Sequence, residues 1–295
     1  MTHPVRVIAR MDIKGPNLIK GIQFDGHRVL GTSEQAADRY YKEGVDEIFF
    51  QDTVASLYRR NSLLEIVSRT AKRVFIPITV AGGLRSIADI REVLNSGADK
   101  VAINTAATEN PNLISEAAKI FGSQCIVASI EAFRTSSGKY QVWTDYGRET
   151  TQLDAIEWAK RVEDLGAGEI MLTSINRDGT GRGFDLELVS KVANSAKIPV
   201  IASGGAGKAD DLVRAVREGR ADAVAVGSLF HYNFIPEGIS KEKREIPLRM
   251  GAPIDTGNWD FYYSGYGHQK GFNVEPCSVA QAKRTLLSAD IPVRV

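Results

Sequence analysis

Two carboxylates sit at the ends of apolar runs: Asp12 closes "VRVIARMD" (5–12) and Glu131 closes "CIVASIE" (125–131). An unpaired carboxylate is costly to bury, so each must be solvated at a strand mouth, paired, or used. Two carboxyl groups facing one site suit general acid–base work, although either alone could cap the loop that follows it. Four loops have the character of anion cradles. "AGGLRS" (81–86) and "SGGAGK" (203–208) are Gly-rich turns that open helices, while "INTAA" (103–107) and "VGSLF" (226–230) follow neighbouring strands. Free backbone N–H groups in such turns attract phosphate, though paired glycines also serve simply to make tight turns. "TSINRDGTGRGFD" (173–185) puts Asp178 and Gly179 in a loop that could face either a ligand or solvent. At the opposite strand ends, Arg6, Glu47, Lys100 and Glu169 read from spacing alone as an ion-pair layer. His231, close behind the last strand, reads as local packing.

These residues need a scaffold that gathers strand ends. Eight short β-branched or apolar runs, from "VRVIARMD" to "DAVAVG" (222–227), alternate with helical-period segments such as "SIADIREVLNSGA" and "LDAIEWAKRVEDLGA". That order fits a (β/α)8 TIM barrel best, with an open doubly wound sheet as the alternative. An internal repeat favours the barrel: "GVDEIFFQD" (44–52) echoes "GAGEIMLTS" (166–174), and "IPITVAGGLRSIADI" (76–90) echoes "IPVIASGGAGKADDL" (198–212), at an offset of about 122 residues. A similar offset carries Asp12 onto Glu131. One domain over 1–295 is expected, with half-barrels of about 1–121 and 122–231. An insertion rich in Gly, Pro and aromatics follows over 232–277, and a last helix over about 278–289. The repeat predicts the two carboxylates facing each other across one mouth, between two phosphate cradles.

Of the 295 residues, 43% are hydrophobic and 25% charged, with a net charge of +1, so no global field favours nucleic acid or an anionic membrane. Two cysteines, Cys125 and Cys277, give neither a disulfide framework nor a metal signature. No apolar stretch approaches the roughly 18 residues of a membrane span, and the start lacks the core of a signal peptide. A cytoplasmic protein acting on a small molecule, without metal or cofactor, is expected.

The stretches "DIKGPNLIKG", "GVDEIFFQD", "GADKVAINTAATENP", "GAGEIMLTSINRDGTGRGFD", "IPVIASGGAGK" and "SLFHY" closely resemble the HisF family, the cyclase subunit of imidazole glycerol phosphate synthase. The resemblance spans nearly everything except 232–277. It implies a lyase of the glutamine amidotransferase type. Ammonia from a glutaminase docked at the barrel floor passes through the barrel and is used at the top on a ribulosyl bisphosphate. It assigns Asp12 and Glu131 as the catalytic pair and Lys20 to a mobile loop. Gly83, Asn104, Thr105, Asp178, Gly179, Gly205 and Ser228 fall at phosphate-contacting positions, and Gly227 adjoins them. The floor charges Arg6, Glu47, Lys100 and Glu169 become an ammonia gate, which replaces their reading as a mere ion-pair layer. The sequence departs from the family pattern at Glu131, where an aspartate is usual, at Arg10, where the residue is small or apolar, and at Gln51, Asn176, Ala81 and Gly227. These departures gather at the chemical end. They leave room for a paralogue that delivers ammonia to another acceptor, as in sugar amidination for surface polysaccharides. A non-catalytic conduit with a separate synthetase above it is a third possibility.

Overall fold

The computed structural model describes residues 3–55, 63–234 and 274–294. Eight parallel strands close into a barrel: β1 (Arg6–Lys14), β4 (Glu47–Asp52), β5 (Ile78–Ala81), β6 (Lys100–Ile103), β7 (Ile126–Arg134), β10 (Glu169–Ser174), β11 (Val200–Ser203) and β12 (Ala223–Val226), the last pairing back onto β1. Around it pack α1 (Ser33–Lys42), α2 (Leu64–Ala71), α3 (Ile87–Asn95), α4 (Thr105–Glu109), α5 (Asn112–Phe121), α6 (Ala155–Asp164), α7 (Leu186–Ser195), α8 (Ala209–Arg217), α9 (Ser228–Phe234) and α10 (Val279–Ser288). The closed parallel ring bears out the (β/α)8 expectation over the open sheet.

Strand alternation sorts each run into two faces. On β1, Val7, Ala9, Met11 and Ile13 join the large core between barrel and helices, while Ile8 joins an inner cluster with Phe49, Val127, Met171 and Ile201. Both faces are buried, which is why "VIA" (200–202) and "AVAV" (223–226) are continuously apolar rather than alternating. The inward rows of β1 and β7 therefore climb from floor to mouth, ending at Asp12 and Glu131.

The repeat recurs in hydrogen bonds. Asp89 Oδ2 accepts from the backbone N–H groups of Arg85 and Ser86 at the start of α3, and Asp211 Oδ2 accepts from those of Gly207 and Lys208 at the start of α8. Each satisfies orphan donors at a helix start. Four antiparallel strands go beyond the eight read from the sequence. β2 (Asn17–Ile22) and β3 (Asp25–Thr32) extend β1, and β8 (Tyr140–Thr144) and β9 (Glu149–Asp154) extend β7 in the same way. Their polar-rich sequences, "NLIKGI" and "ETTQLD", hid them. Both hairpin tips use two non-glycine residues in the left-handed region, Gln23–Phe24 (φ 52 and 66) and Asp145–Tyr146 (φ 50 and 57). That backbone matches strand twist at some steric cost.

Helix α10 covers the region where Val5 bridges Val293, and its Lys283 pairs with the buried Asp46 at 2.7 Å. The insertion expected over 232–277 falls largely on 235–273, outside the described residues.

Candidate active site

The floor is built from four inward side chains, each the first residue of its strand. Arg6 binds Glu47 at 3.0 Å and Glu169 at 2.6 Å; Lys100 binds Glu47 at 3.0 Å and Glu169 at 2.9 Å. The four close into one ring of alternating charge, with Thr79 Oγ1 donating to Glu47 as well. Spacing had placed these residues at one level, and the structure brings all four into contact. Above them lies the apolar inner cluster of Ile8, Phe49, Val127, Met171 and Ile201.

At the top, Asp12 is clamped between two cations. Lys20 Nζ, reaching over from β2, donates to Asp12 Oδ2 at 3.0 Å and to Asp178 Oδ2 at 2.8 Å. Arg10 Nε faces Asp12 Oδ1 at 3.4 Å, an ion pair without hydrogen-bond geometry. Arg10 Nη1 crosses to Thr173 Oγ1 at 2.7 Å and Ser203 Oγ at 3.0 Å, and its guanidinium lies 5.4 Å from the Phe24 ring centre. All four charged groups are buried. Burial alone would raise the Asp12 pKa, but Lys20 and Arg10 outweigh it and hold the carboxyl well below its ordinary range. Burial would likewise lower Lys20, and the two aspartates reverse it.

Glu131 has a different environment. Burial pushes its pKa up to about 7, and the charge of Arg10 and the Gly147 N–H, which donates to Oε2 at 3.0 Å, offset only part of that. The carboxylate pair thus splits into one permanent anion and one group that titrates near neutrality. No direct hydrogen bond joins Asp12 and Glu131; Arg10 stands between them electrostatically.

The two cradles differ in room. Gly82, Gly83, Asn104 and Thr105 line a cavity of about 330 Å³ that also touches Gln51, Ala102, Ser129 and Glu131. Gly82 sits at φ +105, and a Cβ there would come within 2.5 Å of the Asp52 carbonyl, so only glycine lets this turn pack. Asn104 Nδ2 donates to Trp143 O at 3.0 Å, and Thr105 Oγ1 accepts from the Asp145 N–H at 3.1 Å, tying the cradle to the second hairpin. Across the mouth, Asp178, Gly179, Gly205, Gly227 and Ser228 line a cleft of only about 10 Å³, together with Arg10, Lys20 and Ser203.

Over the mouth the two hairpin tips meet, with the Phe24 and Tyr146 rings stacked at 4.3 Å. The Gln23 N–H donates to Asp178 O at 2.8 Å, fastening the first tip to the loop after β10. Asn176, one of the departures from the family pattern, exchanges hydrogen bonds with the backbone of Arg134. His231 is fully buried, bonded through Nδ1 to Tyr40, with its pKa lowered by burial to about 3, in keeping with its reading as packing.

Sequence similarity speaks to the same framework. The family described as "Histidine biosynthesis protein" matches residues 6–236. "Imidazole glycerol phosphate synthase subunit HisF" of Legionella pneumophila is 60% identical over 207 residues, 70% of this chain and 98% of that protein. The HisF subunit of Methanopyrus kandleri is 46% identical over 264 residues, 83% of this chain and 97% of its own. The chain belongs to the HisF family. Membership makes it an enzyme subunit of the imidazole glycerol phosphate synthase type.

Within this family member, sequence reasoning missed several mouth residues. Phe24 and Tyr146 carry no motif, and their pairing depends on two hairpins about 120 residues apart. Thr173 and Ser203 look like ordinary strand ends until Arg10 reaches them. Arg85 lines the larger cavity and donates to Ala55 O at 3.2 Å; its place in "AGGLRS" was the available signal. Among the described residues no group of His, Cys, Asp or Glu could hold a metal ion, and no helix is long and apolar enough to cross a membrane.

Proposed function

We propose that the chain is the ammonia-using subunit of a HisF-type synthase. Ammonia made by a glutaminase docked at the floor would pass the charged ring, rise through the barrel and add to a phosphorylated ribosyl or ribulosyl acceptor in the mouth. The observation that carries the reading is one continuous inward column. It begins at the ring of Arg6, Glu47, Lys100 and Glu169, passes a buried apolar layer, and ends at Asp12 and Glu131 beside a roomy Gly-rich cavity. Neutral ammonia crosses such a layer far more cheaply than ammonium, whose charge would have to be desolvated. Docking at the floor has apolar support: Phe75, just before β5, is 77% exposed and Ile120, at the end of α5, 51%.

At the mouth the two carboxyls take different parts, one in proton transfer and one as a fixed anion. Glu131, near neutrality, can take a proton from the incoming nitrogen and return it to a departing oxygen. Asp12 stays ionised between Lys20 and Arg10, where it holds both cations in place and accepts hydrogen bonds from the acceptor. Gly83, Asn104 and Thr105 would seat a phosphate on one side, and Asp178, Gly179, Gly205, Gly227 and Ser228 would form the second cradle.

Imidazole glycerol phosphate formation is the reading that the HisF relatives favour. A second reading, delivery of ammonia to a different acceptor as in a sugar-amidinating paralogue, is favoured by Arg10, whose bulk and charge occupy the mouth itself. Turnover of the family's ribulosyl bisphosphate substrate with excess ammonium tests both. Imidazole product at an enzymatic rate, lost on Asp12→Asn while phosphate ligands still bind, supports the first. No product, from a chain that binds phosphate ligands, moves the assignment to the second.

A further inference from the structure

Tyr146 occupies an unusual place for a tyrosine. A hairpin tip is normally exposed, and a bulky residue rarely takes a left-handed backbone, yet Tyr146 has φ 57 and is only 5% exposed. Its ring stacks on Phe24 at 4.3 Å, and a phenylalanine would stack as well. The stack therefore accounts for the ring and leaves the hydroxyl unexplained. A buried tyrosine O–H ordinarily finds a partner. This one makes no hydrogen bond among the described residues. The neighbouring His27 ring, 5.4 Å away between centres, does not take it, for its Nε2 is unpartnered too. Backbone strain and an unused buried polar group together mark a place built for a ligand.

The residues on either side show what that ligand meets. The Asp145 N–H donates to Thr105 Oγ1 at 3.1 Å, and the Gly147 N–H donates to Glu131 Oε2 at 3.0 Å. Tyr146 lies between these two anchors and lines the cavity of about 330 Å³ together with Asn104, Thr105 and Glu131. The charges of Asp12, Arg10, Asp178 and Glu131 all reach its hydroxyl, which places it at the carboxylate pair. Burial, and after it the charge of Asp12, push its pKa well above the ordinary value, so it stays a neutral donor.

We infer that Tyr146 is a further catalytic residue, whose hydroxyl donates a hydrogen bond to the acceptor oxygen that ammonia displaces. The inference rests on the proposed ammonia-using role and deepens it, for an acceptor that reacts at a carbonyl. The nitrogen lone pair adds to the carbonyl carbon, and the C=O electron pair moves onto oxygen. Glu131 takes a proton from the nitrogen and passes it to that oxygen, giving a carbinolamine. The C–O bond then breaks as C=N forms, and a second nitrogen proton, again carried by Glu131, leaves with the oxygen as water. Tyr146 keeps its own proton; its O–H stabilises the negative charge that gathers on oxygen in both steps.

The test compares the unaltered chain with Tyr146→Phe, which keeps the ring and its stack, in binding and in turnover of the family's ribulosyl bisphosphate. Affinities measured by calorimetry without ammonium should agree within about threefold, whereas kcat with excess ammonium should fall by about a hundredfold, the scale of one donor lost from a developing oxyanion. Tyr146→3-fluorotyrosine, of nearly the same shape and still a donor, should hold turnover to within about threefold of the unaltered chain. Turnover by Tyr146→Phe within about twofold of the unaltered chain would overturn the inference and leave the proposed function standing. A loss confined to affinity would make the hydroxyl a binding contact and equally overturn the catalytic assignment. An unaltered chain that binds the bisphosphate without turning it over would fail the proposed imidazole chemistry itself, and the inference, tied to that carbonyl, would fall with it.

Discussion

Replacing Glu131 with Gln should stabilise the protein in a pH-dependent way while removing its ability to move a proton. The side chain is 3% exposed and its pKa lies at about 7, against an ordinary 4.5. Folding thus favours the protonated form. Between these two values the folded chain holds a proton that the unfolded chain has released, so stability falls as pH rises through that window. The stabilisation linked to this proton is fully present below pH 4.5 and gone above pH 7. At about 1.36 kcal/mol per pKa unit, the full excursion is about 3 kcal/mol. The amide introduced by Glu131→Gln cannot ionise, and its oxygen can still accept from the Gly147 N–H that now donates at 3.0 Å. The difference between the variant and the unaltered chain should therefore be near zero at about pH 4.5 and grow to about 1–3 kcal/mol in favour of Gln at about pH 8, the lower figure allowing for relaxation around the charge. Effects of Asp12 and Lys20 are common to both chains and cancel to first order. Urea unfolding of the pair across about pH 4.5–8, read by circular dichroism and tryptophan fluorescence, gives the difference directly. A gap independent of pH, or one that favours Glu131 at the alkaline end, would refute the burial of a near-neutral carboxyl and with it the different parts of the two carboxyls at the mouth.

Three further substitutions probe the scaffold and the floor. Lys100→Ala opens the ring that joins Glu47 and Glu169; glutamine-driven activity with the glutaminase should fall at least tenfold while ammonium-driven activity holds, and equal loss of both would remove the gating role. Lys283→Met strands the buried Asp46, whose Oδ2 also accepts from the Val7 N–H at 2.7 Å. It should cost about 3–5 kcal/mol in urea unfolding, most of it recovered when Asp46→Asn is added. Gly179→Ala places a Cβ 2.2 Å from the Gly21 carbonyl at φ +69. The clash should destabilise by about 2 kcal/mol and speed amide exchange at Gln23, whose N–H is fastened to Asp178.

The sequence alone determined the barrel and the ends of its strands. Alternating short apolar runs and helical segments leave few architectures, and a repeat at constant offset selects the symmetric closed one, because only a ring makes both halves equivalent. The same local patterning put Asp12 and Glu131 at strand ends and the four floor charges at one level, since inward residues recur every second position. Family motifs then attached roles to those positions. Tertiary structure decided everything that depends on distance between remote segments. Asp12 and Glu131 are symmetric in sequence, yet Lys20 and Arg10 fall on one and only a backbone N–H and a partly offsetting Arg10 on the other, so their proton affinities diverge. The Phe24–Tyr146 stack and the reach of Arg10 to Thr173 and Ser203 join residues more than 100 positions apart. No periodicity encodes such meetings, because they arise where loops of different strands converge over one mouth. Ring closure brings equivalent strand ends together, but the side chains that reach across the opening set how much room and charge each half of the mouth retains.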